Sequence, residues 1–275
     1  MKLAYSIVTL DVSNPKAFGY RDDFDNAVDR VRKLGFDGIE LIMVDPDRLD
    51  VDGIYRILRS SGLEVPMIGT GELFGQDGLA LLHPEASVRN KAMDRLKSIV
   101  RFAGPLGAQV NLGRSRGQYV EGIPKEQTEE WAEKAFTELS DYAAEYGVIV
   151  ALEPLARYAC TFINSTQEGL EWIHRINRPN FRLMLDAYHM NIEDRTCIPD
   201  SIREAAPVLT HVHLSDTNRK PPGWGHMDFA AIISALSEIS YSKYVSAEQL
   251  NYPSQDDAIK RFFDAISPLI IRKQE

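Results

Sequence analysis

Short β-branched apolar runs alternate with longer amphipathic segments along the whole chain, and the alternation recurs eight times. This pattern is typical of βαβ units, in which helices connect parallel strands. Eight such units in 275 residues fit a single (β/α)8 TIM barrel, whose typical length is about 250 residues. The predicted strands are 3–10, 37–43, 65–71, 109–113, 148–155, 182–186, 210–215 and 244–250.

The segments between these strands carry helical spacing and helix-end signals. Phe24, Val28 and Val31 lie on one face of a predicted helix, and Gly35 supplies a left-handed end to it. The last helix is predicted to begin at Ser254, with a cap of the Ser-x-x-acid type. Helices and strands therefore alternate to the final segment.

An open, doubly wound sheet is the alternative architecture. It would normally need fewer strands, and a nucleotide-binding version would carry G-x-G-x-x-G after its first strand, which this chain lacks. No Pro/Gly/Ser-rich linker divides the sequence, so we expect one barrel domain over residues 1–275. The longest irregular segments, 72–86 and 115–127, follow strands three and four and are predicted to form lids over the catalytic rim.

The charge balance and cysteine content exclude several classes of protein. Forty Asp and Glu against 31 Lys and Arg give a formal charge of −9, which disfavours a nucleic-acid partner. Cys160 and Cys197 form no C-x-x-C motif, so we expect no disulfide framework. The low cysteine content is instead typical of a protein in the reducing cytoplasm. No apolar run approaches the ~18 residues of a membrane span. We therefore expect a cytoplasmic protein with neither nucleic acid nor membrane as a partner.

Acidic and imidazole residues punctuate the ends of four consecutive strands. Glu153 lies near the end of strand five, Asp186 ends strand six, and Glu248 lies in strand eight. Strand seven offers His211 and His213. An unpaired carboxylate in a buried strand would cost several kcal/mol, and a divalent cation would offset that cost. Any one acid could instead pair with an Arg or cap a helix, but four strand ends in sequence favour a metal site.

Further polar residues follow strands two to four. Glu40 and Glu72 end strands two and three, and they could contact substrate hydroxyls or cap helices. Arg114 and Arg116 at the fourth strand end could bind a carboxylate or phosphate, or form salt bridges on the rim. They flank Ser115 in a G-x-S-x-G pattern, but no helix is predicted directly after it, which argues against a serine hydrolase. Glu72 and Arg114 are our predicted additions to the substrate site.

The segments EPLARY, LDAYHMN, HVHLSDTNR and SAEQL resemble the xylose-isomerase-like TIM-barrel sugar isomerases and epimerases, in particular the D-tagatose and D-psicose 3-epimerase branch. Within it, IGTGELFGQDGLALLHPEASVRNKA, TFINST and TNRKPPGWGHMDF resemble 5-keto-L-gluconate epimerases, and this likeness covers nearly the whole chain. The resemblance implies a four-residue metal site with spacings of 33, 27 and 35 positions. Its ligands would be Glu153, Asp186, His213 and Glu248.

The same resemblance implies roles around the metal. Glu153 and Glu248 would be the acid/base pair, His189 would polarise the substrate and Arg219 would bind it. His213 is favoured over His211 as the ligand because the family's Arg lies six positions beyond its ligand. His211 is expected to be a hydrogen-bonded core residue. The oxygen-rich ligand set favours manganese, with magnesium, cobalt or zinc also suited.

One departure from the family pattern concerns the substrate. The family reads E-x-L-N-R-x-E, whereas this chain has Ala156 and Ala159 in place of the Asn and the second Glu. The resemblance then implies a changed substrate or a drift in chemistry. We predict a metal-dependent sugar or keto-sugar-acid epimerase or isomerase that abstracts a proton next to a carbonyl. The alternative is a lyase or dehydratase, for example of 3-keto-glycosides, that uses the same enolisation.

Other members of this superfamily provide rival functions. A three-zinc DNA-repair endonuclease would need more histidines than the six present and a basic DNA-binding face. A non-catalytic sugar-binding relative would be expected to lack a ligand, and none is missing here. The expected partner is a small carbohydrate, and we expect a homo-oligomer, either a dimer or a tetramer.

Overall fold

The structure, a computed structural model, describes residues 1–270. Eight parallel strands form a closed barrel in chain order, which confirms the predicted (β/α)8 architecture. Every observed strand overlaps a predicted one. The strands are Lys2–Val8 (β1), Gly38–Ile42 (β2), Met67–Gly69 (β3), Gln109–Leu112 (β4), Val150–Leu152 (β5), Phe181–Asp186 (β6), Leu209–Leu214 (β7) and Tyr244–Ala247 (β8).

Helices follow the strands and cover the outside of the barrel. They are Phe24–Leu34 (α1), Val51–Ser61 (α2), Gly71–Gly75 (α3), Ala86–Ala103 (α4), Lys125–Glu145 (α5), Thr166–Ile176 (α6), Ala187–Glu193 (α7), Ile198–Ala205 (α8), Phe229–Glu238 (α9) and Gln255–Ile266 (α10).

The two predicted lids are less irregular than expected. Helix α3 occupies part of the segment 72–86, and a 3-10 helix, Arg114–Arg116, together with the start of α5 takes up part of 115–127. Both predicted helix ends are confirmed. Gly35 ends α1 with φ of 91°, and the Ser254 side chain accepts a hydrogen bond from the first turn of α10.

The alternation of side chains along each strand separates an apolar outer layer from the barrel interior. In β6, Leu183 and Leu185 join the large core between the barrel and its helices, whereas Met184 belongs to a separate small cluster with Met67 and Ala151. Within the described residues, no helix combines the length and apolarity needed to cross a bilayer. Several of the polar side chains that interrupt or follow the strands lie at the barrel's carboxyl-terminal end, where they form the candidate site.

Candidate metal centre and substrate cavity

A cavity of about 530 Å³ opens at the carboxyl-terminal ends of the strands. Most of the predicted site residues line it, and Asp186 lies behind them with 1% exposure. The predicted residues in the cavity wall are Glu72, Arg114, Glu153, His189, His213, Arg219 and Glu248.

The four predicted ligands come together where β5 to β8 end. Their ligand atoms all lie within 4.8 Å of one another. Nδ1 of His213 lies 3.7 Å from Oε1 of Glu153, 3.7 Å from Oε2 of Glu248 and 3.9 Å from Oδ2 of Asp186. The imidazole nitrogen thus faces three carboxylates in a buried setting.

Two of these atoms indicate that the group is built to hold a cation. Oε1 of Glu153 and Nδ1 of His213 are buried and have no hydrogen-bond partner. A buried polar atom without a partner is costly, and a cation bound between these atoms would satisfy both. Three carboxylates and one imidazole form a hard donor set that suits a divalent metal. The residues present therefore fit a divalent metal site.

Arg219 packs directly against this group. Nη1 donates to Oδ2 of Asp186 at 2.5 Å, and Nη2 forms an ion pair with Glu248. Burial raises the pKa of Glu248, but the opposing effects, led by the charge of Arg219, outweigh it, so the net shift is downward. The sequence left open whether these acids pair with an Arg or belong to a metal site. Asp186 and Glu248 do both: each pairs with Arg219 and each lies in the group with metal-ligand spacing.

Other side chains fix the orientation of individual ligands. Oδ1 of Asp186 accepts the backbone N–H of Tyr188 at 2.8 Å and so caps α7, which leaves Oδ2 turned toward the cluster. Asn111 in β4 donates to Oε2 of Glu153 at 2.8 Å, so Oε1 is the free oxygen. Sequence reasoning missed Asn111, although an amide in the strand QVNL was a usable signal.

His189 is held as a neutral hydrogen-bond donor. Its Nδ1 accepts the backbone N–H of Ala156 at 3.0 Å, so the ring hydrogen belongs on Nε2. Burial lowers the pKa of His189 to about 3, despite the opposing charge of Asp186. Nε2 lies 3.1 Å from Nη2 of Arg219. Two N–H donors therefore lie side by side, an arrangement that suits a shared oxygen acceptor.

The outer part of the cavity carries the remaining predicted residues. Glu72 in α3 accepts a hydrogen bond from Asn14 at 2.8 Å, and the Arg114 guanidinium lies 5.1 Å from the Phe74 ring. Exposed Lys16 lines the same cavity. The structure therefore brings Glu72 and Arg114 to the cavity, together with a second cation that the sequence analysis did not identify.

Arg116 and Ser115 do not face the cavity. The Arg116 guanidinium is fully buried and donates to the backbone carbonyls of Glu153 at 2.7 Å and Phe162 at 2.6 Å. The prediction that Arg116 could bind a substrate carboxylate or phosphate is therefore wrong. The Ser115 hydroxyl is also buried and lies 2.6 Å from Thr70 Oγ1, an arrangement unlike an exposed nucleophile.

Glu40 also lies elsewhere than expected. It occupies the middle of β2, not its end, and is fully buried. It contacts His211 and lies 3.0 Å from Nε2 of His213, so it meets the imidazoles rather than substrate hydroxyls. The prediction that His211 is a hydrogen-bonded core residue is confirmed. Glu40, His211 and His213 also form a second group with metal-ligand spacing.

Comparisons with known proteins agree with the fold. A family model described as xylose isomerase-like TIM barrel matches residues 28–267. The L-ribulose 3-epimerase of Mesorhizobium japonicum is 26% identical over 88% of this chain and 80% of that enzyme. The D-psicose 3-epimerase of Ruminiclostridium cellulolyticum is 29% identical over 82% of this chain and 78% of that enzyme. The D-allulose 3-epimerase from Methylomonas sp. shares the fold, with a TM-score of 0.82 at 23% identity over 98% of each chain.

Proposed function

This chain belongs to the xylose isomerase-like TIM barrel family, and from that premise we propose that it is a divalent-metal-dependent epimerase or isomerase of a ketose or keto-sugar acid. The observation that carries the proposal is the pair of buried, unpartnered atoms, Glu153 Oε1 and His213 Nδ1, beside Asp186 and Glu248. The L-ribulose and D-psicose 3-epimerases among the relatives support the same reaction class.

The four ligand residues would hold the cation, for which we propose manganese, with magnesium, cobalt or zinc as alternatives. When bound, such a cation stabilises the negative charge that develops at the carbonyl oxygen as the neighbouring carbon loses its proton. Without such stabilisation, a carbon acid of this kind is too weak for a carboxylate base at neutral pH. The protein must then supply the bases and orient the substrate.

Glu153 and Glu248 are the proposed bases. Both line the cavity, and inversion at carbon requires one group to remove a proton from one face and another to return a proton to the opposite face. The amide of Asn111 holds one oxygen of Glu153 and leaves the other available. Arg219 keeps Glu248 in its charged form through their ion pair.

His189 and Arg219 are the proposed substrate donors. Nε2 of His189 and Nη2 of Arg219 lie 3.1 Å apart, and their N–H groups would donate to an oxygen of the substrate beside the reacting carbon. His189 remains neutral at physiological pH because its pKa is lowered by burial, so it donates without adding charge. The Arg219 guanidinium also lies 4.5 Å from the Tyr188 ring, which restricts its movement.

Among ketose and keto-sugar-acid substrates, the residues of the cavity wall favour a keto-sugar acid. Arg114 and Lys16 place two cations in the outer cavity, where a substrate carboxylate would be held. Ala156 and Ala159 line the same cavity and leave space that larger side chains would fill. These features agree with the resemblance to 5-keto-L-gluconate epimerases.

A lyase or dehydratase is the second candidate function. The small side chains of Ala156 and Ala159 would admit a bulkier substrate such as a 3-keto-glycoside, and the same proton abstraction would then lead to loss of a leaving group.

A substrate screen tests the proposal. The protein is loaded with Mn²⁺ and incubated with D-tagatose, D-fructose, L-ribulose, keto-gluconates and a 3-keto-glycoside, and products are identified by NMR. We expect an epimer of a keto-sugar acid to form fastest. Release of water or an aglycone instead would support the lyase, and the absence of turnover on every substrate would contradict both functions.

A further inference from the structure

A second polar cluster lies fully inside the barrel, beneath the four ligand residues. We call it the Glu40 cluster. It consists of Glu40 in β2, His211 in β7, Ser246 in β8 and Ser6 in β1, each at most 1% exposed. These strands are neighbours in the closed barrel, in the order β2, β1, β8, β7. Nothing in the proposed reaction uses these side chains directly.

Each oxygen of Glu40 accepts a hydrogen bond from an imidazole and also has a serine hydroxyl within hydrogen-bond distance, although the Ser6 hydroxyl lies closer to the carbonyl of Ala247, at 3.1 Å. Oε2 lies 3.0 Å from Nε2 of His213 and 3.3 Å from Oγ of Ser6. Oε1 contacts Nε2 of His211 and Oγ of Ser246. A buried carboxylate is tolerated only when its oxygens are satisfied, and here both are. The cluster therefore fixes Glu40 in one orientation.

The contact with Glu40 determines which nitrogen of His213 is free. A metal-ligating imidazole is neutral and carries one N–H, so donation from Nε2 to Glu40 leaves the lone pair on Nδ1 for the metal. Nδ1 is the atom that has no hydrogen-bond partner and faces Glu153, Asp186 and Glu248. Carboxylates that bond the second nitrogen of a ligand histidine commonly orient its ring and select its tautomer.

We propose that Glu40 is a positioning residue for the metal centre: it holds His213 so that Nδ1 faces the other three ligands, and His211 and Ser246 hold Glu40 in place. This inference rests on the metal-dependent function proposed above. It assigns Glu40 and His211 a supporting role, although together with His213 they also have metal-ligand spacing. Their contacts, 3.0 Å for Glu40 and His213, are those of hydrogen bonds.

The test measures metal binding separately from catalysis. Glu40→Gln keeps the size of the side chain but replaces one acceptor oxygen by an NH₂ group. Thr210→Val is the matched control, because Thr210 is a buried β7 residue next to His211 whose hydroxyl bonds Gln109 at 2.7 Å, away from Glu40. Affinity and stoichiometry for Mn²⁺ and Co²⁺ are measured by calorimetry on the metal-stripped full chain, and the Co²⁺ complex is examined by visible absorption.

We expect one ion per chain in the wild type, and in Glu40→Gln an affinity weaker by about 10- to 100-fold with an altered Co²⁺ spectrum. Thr210→Val should lower thermal stability and leave both metal readouts unchanged. If Glu40→Gln does not fold, Ser246→Ala loosens Glu40 from the opposite side and should shift affinity and spectrum in the same direction.

Three results would overturn the inference. One is a Glu40→Gln variant that binds metal with wild-type affinity and gives an unchanged Co²⁺ spectrum. If Glu40→Gln does not fold, the same result in Ser246→Ala would count equally. Another is two ions per wild-type chain with loss of one in Glu40→Gln, which would make Glu40 a ligand. The last is absence of metal binding in the wild type, which would also remove the proposed function. Metal binding without epimerase activity would contradict only the function.

Discussion

Nη1 of Arg219 lies 2.5 Å from Oδ2 of Asp186, so the proposed substrate-binding guanidinium is also the ion-pair partner of a metal-ligand candidate. Arg219 adopts a left-handed backbone conformation, with φ of 62°, in the loop after β7. Desolvated carboxylates require nearby positive charge, and Arg219 supplies it for Asp186 and Glu248. Arg219 would therefore couple the proposed substrate recognition electrostatically to the candidate metal centre.

The first prediction concerns metal removal. Exhaustive chelation should abolish turnover, and added Mn²⁺ or Co²⁺ should restore it. Asp186→Asn should weaken metal binding by more than about 100-fold, since loss of a supporting partner alone costs about 10- to 100-fold. Asp141→Asn, which removes an exposed ion pair with Arg178, is the control and should bind metal normally. Full activity in protein shown to be metal-free would contradict the proposed function.

The second prediction concerns Ala159 as a determinant of substrate choice. Ala159 lines the cavity, and the family resemblance implies a Glu at this position, so Ala159→Glu should introduce charge and bulk there. We expect kcat/KM for the proposed keto-sugar acid substrate to fall and that for D-tagatose or D-fructose to rise relative to it. Ala144→Glu, on the exposed face of α5, controls for the added charge. Equal relative rates across substrates in both variants would show that position 159 does not select the substrate.

The third prediction concerns Asp216, which organises the loop that carries Arg219. Its carboxylate accepts the backbone N–H groups of Thr217, Gly223 and Met227 at 2.8–3.0 Å. Burial raises the pKa of Asp216, but these donors outweigh it and the net shift is downward. A lowered folded-state pKa stabilises the fold above the unfolded value of about 3.9, and the contribution is lost as pH falls through the folded pKa.

Asp216→Asn should therefore lower the free energy of unfolding by about 1–2 kcal/mol at pH 7. The difference from wild type should shrink as pH falls below about 4. Urea unfolding of both proteins at several pH values between 7 and 3 measures it. A difference that stays constant over this range would show that the charge of Asp216 is not what stabilises the loop.

The sequence allowed the barrel to be predicted, and it pointed to the acidic residues of the candidate metal site, because both depend on local patterns; the choice of His213 over His211 rested on the family resemblance. Strand and helix periods are read within single segments, and Glu153 or Asp186 interrupts a strand that is otherwise apolar. The role of Glu40 depends instead on barrel closure, which brings β2 opposite β7 across two intervening strands. Burial of Arg116 likewise depends on tertiary structure, because the carbonyls of Gly113 and Ile163, which are distant in sequence, both accept hydrogen bonds from its guanidinium.

The last prediction tests the two-carboxylate mechanism by solvent labelling. Each of Glu153 and Glu248 lines the open cavity, so its proton can exchange with water between turnovers. In D₂O an epimerase should place deuterium at the inverted carbon of the product, with no other change in mass. A lyase would lose water or another leaving group. NMR and mass spectrometry of the product distinguish these outcomes.

Single replacements should then separate the two proton transfers. Glu153→Gln and Glu248→Gln should each reduce inversion by at least about 100-fold, the usual contribution of a positioned acid or base. One of them should still exchange the substrate hydrogen with solvent, because the remaining carboxylate can remove and return a proton on a single face. Glu64→Gln, which alters an exposed ion pair with Lys2, is the control and should invert at the wild-type rate. Metal content is measured for each variant, so that loss of inversion with the metal retained is attributed to the missing base. Inversion by the wild type without any solvent deuterium would contradict proton transfer through Glu153 and Glu248 and would favour a route that moves hydride within the substrate.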